Sequence, residues 1–374
     1  MAEVFCVYNE SKASKRRALE AVSAVGSARI RRMPFLSFTP YPETNARAEL
    51  ALSSATKPAK NPLLRALKRK VLQWQYNGAR RYFSAHRGQT ALSWNGLKGS
   101  RRAFMMGAQD AGARCLYVEH APLPGKLSLD RQGLNYTNSL PRNADFYIRW
   151  AKEHRGTIDL HWRKAKQNIT ARKARAGYQS GLTDTLSKDE RFVFIPLQVP
   201  SDTQIRVFGG WVQSVENMLD VLARSAAHLP EGWHLRIKEH PSSDVSFGVM
   251  LREMAENSHG RIRVDNQTDT FEQVEKSGAV LTINSSVGLE AMFFEKPVIT
   301  LGQAFYGFSP LVHCADSAQS LADLLASVAQ LKTDPTLRSA YLNYLLNEYY
   351  PDWAPDAAGK WHLNHNIVLK RLAE

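Results

Sequence analysis

The sequence predicts an α/β protein built on parallel sheets, and three observations carry that reading. The second half holds four short apolar runs, 192–199, 235–238, 279–283 and 297–301. Each gives way to polar or glycine residues, as in Pro200-Ser201-Asp202-Thr203-Gln204 and Glu239-His240-Pro241. Helix-period patterns separate these runs, and alternation of strand and helix favours a parallel sheet. Ligands of open parallel sheets bind beyond the carboxyl ends of the strands. The polar clusters therefore fall on one rim of one sheet.

The first half is read less completely. Residues 4–8 form an apolar run fit for a strand, whereas 11–60 mix basic, small and proline residues with little period. From Asn61-Pro62 onward, Leu63, Leu64, Leu67, Val71, Leu72 and Trp74 recur at helical spacing among Arg65, Lys68, Arg69 and Lys70. Such a basic amphipathic helix either packs on a core or lies on an anionic membrane surface. Residues 90–96 read as a strand and turn, 101–111 as a helix, and 114–118 as a strand ending at Glu119-His120. A loop is expected through Leu127-Ser128-Leu129-Asp130. Residues 152–175 are strongly basic and read as helical, and the polar stretch 181–189 suggests a domain boundary. The expected division is 1–185, 186–335 and a closing helical tail, 336–374.

Beyond that boundary, 214–227, 249–256, 271–276 and 321–331 read as helices, and 261–264 as a short strand. The 374 residues suffice for two domains, and 44% apolar with 22% charged residues is ordinary for a globular protein. A net charge of +14 is not, and it suits an anionic partner. Three widely spaced cysteines make neither a disulfide framework nor a metal motif. The first residues lack the layout of a signal peptide, and no run reaches the ~18 apolar residues of a membrane span. The expected location is the cytoplasm, with peripheral contact to an inner membrane. No nucleic-acid recognition motif accompanies the charge.

H-E-x-x-H, C-x-x-C, G-x-G-x-x-G and D-x-D are all missing from the sequence, and nothing calls for a metal or a dinucleotide. Asn284-Ser285-Ser286-Val287-Gly288-Leu289-Glu290 follows a buried-type strand and opens a helix. Such a turn can cap the helix or receive a phosphate at its N-terminus. Lys238 and His240 end a neighbouring strand on the same rim and offer two cations, with Pro241 holding His240 extended. Asp202 in one half and Glu119 in the other are the carboxylates of the type glycosyl transfer uses.

These motifs in order resemble the bacterial capsule-polysaccharide β-Kdo glycosyltransferases. The resemblance rests on Leu197-Gln198-Val199 with Asp202, on Lys238, His240 and Pro241, on 284–291, and on Gly302 and Tyr306. In the first half it rests on Val118-Glu119, Leu129-Asp130, Gly133-Leu134-Asn135 and Ser139-Leu140-Pro141-Arg142. It implies a GT-B fold of two Rossmann-like domains with a cleft between them and closing helices. It also implies a CMP-Kdo donor, retention of configuration and a covalent Kdo–aspartate intermediate. Asp202 would be the nucleophile and Glu119 the acid/base. His120, which departs from the family pattern, is a second candidate for proton transfer. Gln198, Lys238, His240, Pro241, Asn284, Ser285, Ser286, Gly288 and Glu290 would hold the donor without metal or other cofactor. The implied partners are CMP-Kdo, a lipid-linked or glycan acceptor and the anionic inner-membrane surface, with no nucleic acid. A GT-B enzyme using another nucleotide sugar, and a non-enzymatic membrane-associated capsule-assembly protein, remain the alternatives.

Overall fold

The computed structural model describes residues 3–31, 36–55, 61–156, 161–170, 179–243 and 245–373. The chain divides into two compact units, one of 1–139 with 347–374 and the other of 140–346. The division thus falls at 139/140 and 346/347 rather than at the polar stretch 181–189, and the tail returns to the first unit. Each unit is a Rossmann-like α/β body.

Unit 1 begins with β1 (Val4–Tyr8), α1 (Ala13–Ser23), β2 (Ser27–Arg31), α2 (Thr44–Ser53) and α3 (Pro62–Ala85). It continues through β3 (Gln89–Trp94), α4 (Gly99–Asp110), β4 (Arg114–His120) and β5 (Leu127–Asp130). The sheet order is β2-β1-β3-β4-β5, parallel except for β5, which runs antiparallel to β4. Successive side chains point to opposite faces of a strand. Phe5, Val7, Leu92, Trp94, Leu116 and Val118 accordingly fill one layer, with α1, whereas Cys6, Ala91, Cys115 and Tyr117 meet Phe83 and Phe104 in the other. The expected loop at 127–130 is instead an edge strand. Leu127 and Leu129 join the first layer, and Asp130 is buried as an acceptor for Gln132, Gly133 and Ser139 backbone N–H and for the Tyr349 hydroxyl.

Unit 2 opens with α5 (Ala144–Glu153), α6 (His161–Lys166), β6 (Arg191–Pro196), α7 (Thr203–Phe208), α8 (Val215–Ser225) and β7 (Trp233–Lys238). Then come α9 (Gly248–Asn257), β8 (Ile262–Val264), α10 (Thr270–Lys276), β9 (Ala279–Thr282) and α11 (Ser286–Phe293). β10 (Val298–Thr300), β11 (His313–Cys314), α12 (Ala318–Ala326) and α13 (Pro335–Tyr344) complete it. The sheet is all parallel in the order β11-β10-β9-β6-β7-β8. Its strands are apolar and buried because helices cover both faces, as parallel sheets require. The basic stretch 152–175 is not one helix: α5 ends at Glu153, α6 spans six residues, and 157–160 and 171–178 lie outside the described residues.

The tail carries a two-stranded antiparallel hairpin, β12 (Trp353–Pro355) with β13 (Trp361–Leu363), and then α14 (His365–Ala373). Trp353 and Val368 enter the first core layer of unit 1. The expected closing helices are thus one helix of unit 2, α13, and a hairpin plus helix of unit 1.

Candidate functional site

In unit 2 the sheet order reverses between β6 and β9, which places their carboxyl ends at the switch point where open α/β sheets bind ligands. Gln198 follows β6 and ties the two strands together. Its Nε2 donates to Asn284 Oδ1 at 3.0 Å, and its Oε1 accepts from Thr282 Oγ1 and the Asn284 N–H, each at 3.1 Å. Asn284 Nδ2 in turn donates to the carbonyls of Gln204 and Phe208, both at 2.8 Å. Two buried amides thereby fix α7 against the β9 turn. Asp202 is exposed at the head of α7, where its Oδ1 accepts from the Gln204 N–H at 3.1 Å.

Ser285 caps α11 through its Oγ, which accepts from the Val287 N–H at 3.2 Å, and Ser286 occupies the first helical position. The Ser285 oxygen thus accepts within its own helix, and its O–H remains a donor. Gly288 is required by a close approach: a Cβ there would stand 2.2 Å from the Tyr306 hydroxyl. That hydroxyl donates to the Ser285 carbonyl, and burial, then the charge of Glu290, push the phenol's pKa well up. Glu290 lies one turn along α11 and is half-buried.

Lys238 is buried, and its ammonium donates to the carbonyls of Asn266 and Thr268, both at 2.7 Å. Burial lowers its pKa. It pins the loop after β8, a different use of the charge from the donor clamp the sequence suggests. Next to it Glu239 is also buried, accepting from the N–H groups of Ser180 and Phe247 and from Asn266 Nδ2. His240 is half-buried ahead of Pro241, and its Nδ1 accepts from the Ser242 N–H at 3.0 Å. A neutral His240 therefore carries its proton on Nε2.

In unit 1 the sheet order reverses between β1 and β3. Glu10, just past β1, is buried and paired by Arg101 of α4, whose Nη2 lies 2.7 Å from Oε2. Asn95, just past β3, takes a positive φ of 61° and donates from Nδ2 to Glu119 Oε2 at 2.8 Å. Glu119 and His120 are the last residues of β4, paired with Ser128 and Leu127, rather than the start of a loop. His120 is exposed overall, yet its ring meets Trp94 edge-on at 4.8 Å. Partial burial, then the Lys15 ammonium, lower its pKa. Lys15 lies 5.4 Å over the other partner of that contact, the Trp94 ring. Asn95, Lys15, Glu10 and Arg101 were not among the sequence candidates. Asn95-Gly96 read only as a turn, and Glu10 and Lys15 fall at the edge of an unpatterned stretch. Among the described residues no group of three or more His, Cys, Asp or Glu is placed to hold a metal ion.

Two sheets, parallel but for the antiparallel edge strand β5, with helices on both faces and polar groups at each switch point make an α/β protein of the GT-B fold class. Residues 151–351 match the family described as capsule polysaccharide biosynthesis protein, and the chain belongs to that family. It is 32% identical to Protein FixF of Sinorhizobium fredii, over 64% of this chain and 54% of that protein, so it spans about half of FixF's length. It is 24% identical to the capsule polysaccharide export protein KpsS of Escherichia coli, over 64% of this chain and 72% of that protein. The solved β-Kdo 2,7 transferase of Thermosulfurimonas dismutans KpsC shares its fold, with a TM-score of 0.56 at 14% identity and full coverage of both chains.

Proposed function

We propose that this protein is a retaining glycosyltransferase that moves Kdo from CMP-Kdo to a lipid or glycan acceptor in surface-polysaccharide synthesis. The observation that carries the reading is the unit 2 switch point. There Asp202, an exposed carboxylate, stands on a rim that two buried amides hold rigid. In the first step Asp202 attacks the anomeric carbon, the bond from that carbon to the phosphate oxygen breaks, and CMP leaves as a monophosphate. In the second step an acceptor oxygen displaces the aspartate and its proton passes to a base. Glu119 is the base the resemblance implies, and Asn95 orients its carboxylate. His120 is the second candidate, its lowered pKa favouring the neutral form that can accept a proton.

The donor's anionic groups would be met by His240 Nε2–H and by Ser286 at the head of α11, with the helix dipole behind it. Lys238 supports this indirectly by holding the loop beside the rim. A monophosphate leaving group needs no diphosphate clamp, so the reaction is expected to proceed without metal. Calorimetry with CMP in EDTA tests the donor assignment. Binding is expected, with His240→Ala weakening it about 10- to 100-fold, since a charge-assisted hydrogen bond contributes ~1.5–3 kcal/mol. Ser286→Ala should weaken it less than about tenfold. Equal binding of UDP, or a requirement for Mg²⁺, would replace CMP-Kdo by another nucleotide sugar.

The acceptor side of the reading includes an anionic membrane surface. On α3, Leu72, Tyr76, Ala79 and Phe83 enter the core, while a second apolar stripe faces away. In that stripe Leu63, Leu64 and Leu67 are 80%, 58% and 59% exposed, and Trp74 farther along packs on Phe38, itself 72% exposed. At 100° per residue, Lys68 and Lys70 flank the stripe on its two sides. Apolar side chains between cations suit the headgroup boundary of an anionic bilayer. No helix among the described residues is long and apolar enough to cross a membrane. Co-sedimentation with anionic vesicles is expected to fall as salt rises and to drop for Leu63→Ser/Leu67→Ser. Equal binding to neutral vesicles would point away from this surface.

A further inference from the structure

We infer that unit 2 carries a second ligand site, for a small anion of sugar size, separate from the switch-point rim. A cleft of about 560 Å³ is lined by residues of α5, α6 and α13 and shares no residue with that rim. Its volume lies within the range of about 300–1,000 Å³ typical of small-molecule sites. Four cations line it, Lys152, Arg155, Arg163 and Arg338, and no Asp or Glu does among the described residues.

Two of its lining side chains are more than nine-tenths buried and leave a donor unused. Trp150 is 8% exposed and its Nε1 has no hydrogen-bond partner among the described residues; Arg338 is 5% exposed and its Nε has none among them. The rest of Arg338 is committed, Nη2 to Glu295 at 3.2 Å and Nη1 to Thr333 Oγ1 at 3.3 Å. Unsatisfied buried donors are uncommon. Both donor atoms are closed to water, so a ligand that uses them must first displace the side chains covering them. Indole and guanidinium N–H groups can only donate, so the partner must accept.

The faces of Trp162 are not open platforms for a neutral sugar ring. The guanidinium groups of Arg163 and Arg338 lie 5.3 and 5.4 Å from its ring centre. Stacking on the indole orders both cations at the cleft. A ligand here is therefore recognised by charge and by acceptor oxygens. A carboxylate on a sugar and a phosphate ester present the same chemistry to such a site. Kdo is chosen as the carboxylate probe because of the activity proposed above; the cleft itself does not depend on it.

The test is ¹⁵N NMR of the indole N–H groups in the full chain, with Trp150→Phe assigning the Trp150 signal among the eight tryptophans. Free Kdo, glycerol 3-phosphate and, as a neutral control, methyl glucoside are titrated in turn. A saturable shift of the Trp150 signal is expected with at least one of the two acids and none with the glucoside. The acid that saturates identifies carboxylate or phosphate as the preferred group. Arg155→Ala/Arg163→Ala, two exposed positions, should weaken that binding about tenfold or more. No saturable shift with either acid, or unchanged affinity in the double variant, would overturn the site. CMP binding, followed by calorimetry on the same samples, reports separately on the donor rim and should be unaffected by the double variant.

Discussion

The two switch points use their polar residues in opposite ways. At the rim of unit 2, Gln198, Lys238, Glu239 and Asn284 are buried and spend hydrogen bonds on backbone and on one another, while Asp202 is exposed and His240 and Ser286 are half-buried. At the rim of unit 1, ionisable groups are set against each other and against aromatic rings: Glu10 with Arg101, Lys15 over Trp94, His120 against the same indole, and Glu119 on Asn95. The first is a frame whose buried amides satisfy one another and the backbone, with the Asp202 carboxylate exposed at its edge. The second is a cluster of charged side chains and aromatic rings in mutual contact.

That contrast can be broken first at Asp202. Asp202→Asn keeps the cap on Gln204, because an amide oxygen accepts as a carboxylate oxygen does. It should leave the thermal midpoint near wild type while abolishing transfer. Near-normal turnover would remove the nucleophilic role.

The frame itself is tested by stability. Asn284→Ala leaves the Gln204 and Phe208 carbonyls and Gln198 Nε2 without their partner, at a cost on the order of 3 kcal/mol in urea unfolding. Asn95→Gly suits the positive φ and removes two part-buried bonds, the one to Glu119 and the one from the Leu97 N–H, so about 1 kcal/mol is expected. Equal costs would erase the distinction between frame and cluster.

One titrating group also lies inside unit 2. His234 is buried beside Arg236 and Arg263, and burial, then the Arg263 charge, lower its pKa to about 4. The fold thus favours the neutral ring. Its contribution is fully present above the unfolded value near 6.5 and is lost as pH falls through about 4. The stability lost over that window is about 3 kcal/mol, since each tenfold change in proton affinity is worth ~1.36 kcal/mol. Urea midpoints from pH 7 to 4 should fall less steeply in His234→Gln.

The legible part of the molecule was the second sheet, because each of its main strands is a short apolar run closed by polar residues, as at 192–199 and 279–283. α3 was legible for the same reason at helical period, from its start at Asn61-Pro62. α1 was not: only Ala18, Leu19, Val22 and Ser23 of it are buried, and charged residues dilute its period. β5 is four residues long and framed by glycine and proline, too short for its alternation to register. The work of Lys238 was hidden because its acceptors, the carbonyls of Asn266 and Thr268, lie about thirty residues away in the chain. Ser285 caps α11, and an Oγ that accepts from the Val287 N–H still has its own O–H to donate, so the cap was legible in the sequence and is compatible with a ligand role.

Mass spectrometry of the protein after incubation with CMP-Kdo is the most direct test of the central claim. In Glu119→Gln, where the second step is slowed, one Kdo should be found on the peptide that carries Asp202, with one CMP released per protein in the presence of EDTA. Unconsumed CMP-Kdo, or Kdo transferred with no adduct at Asp202 in any variant, would contradict it.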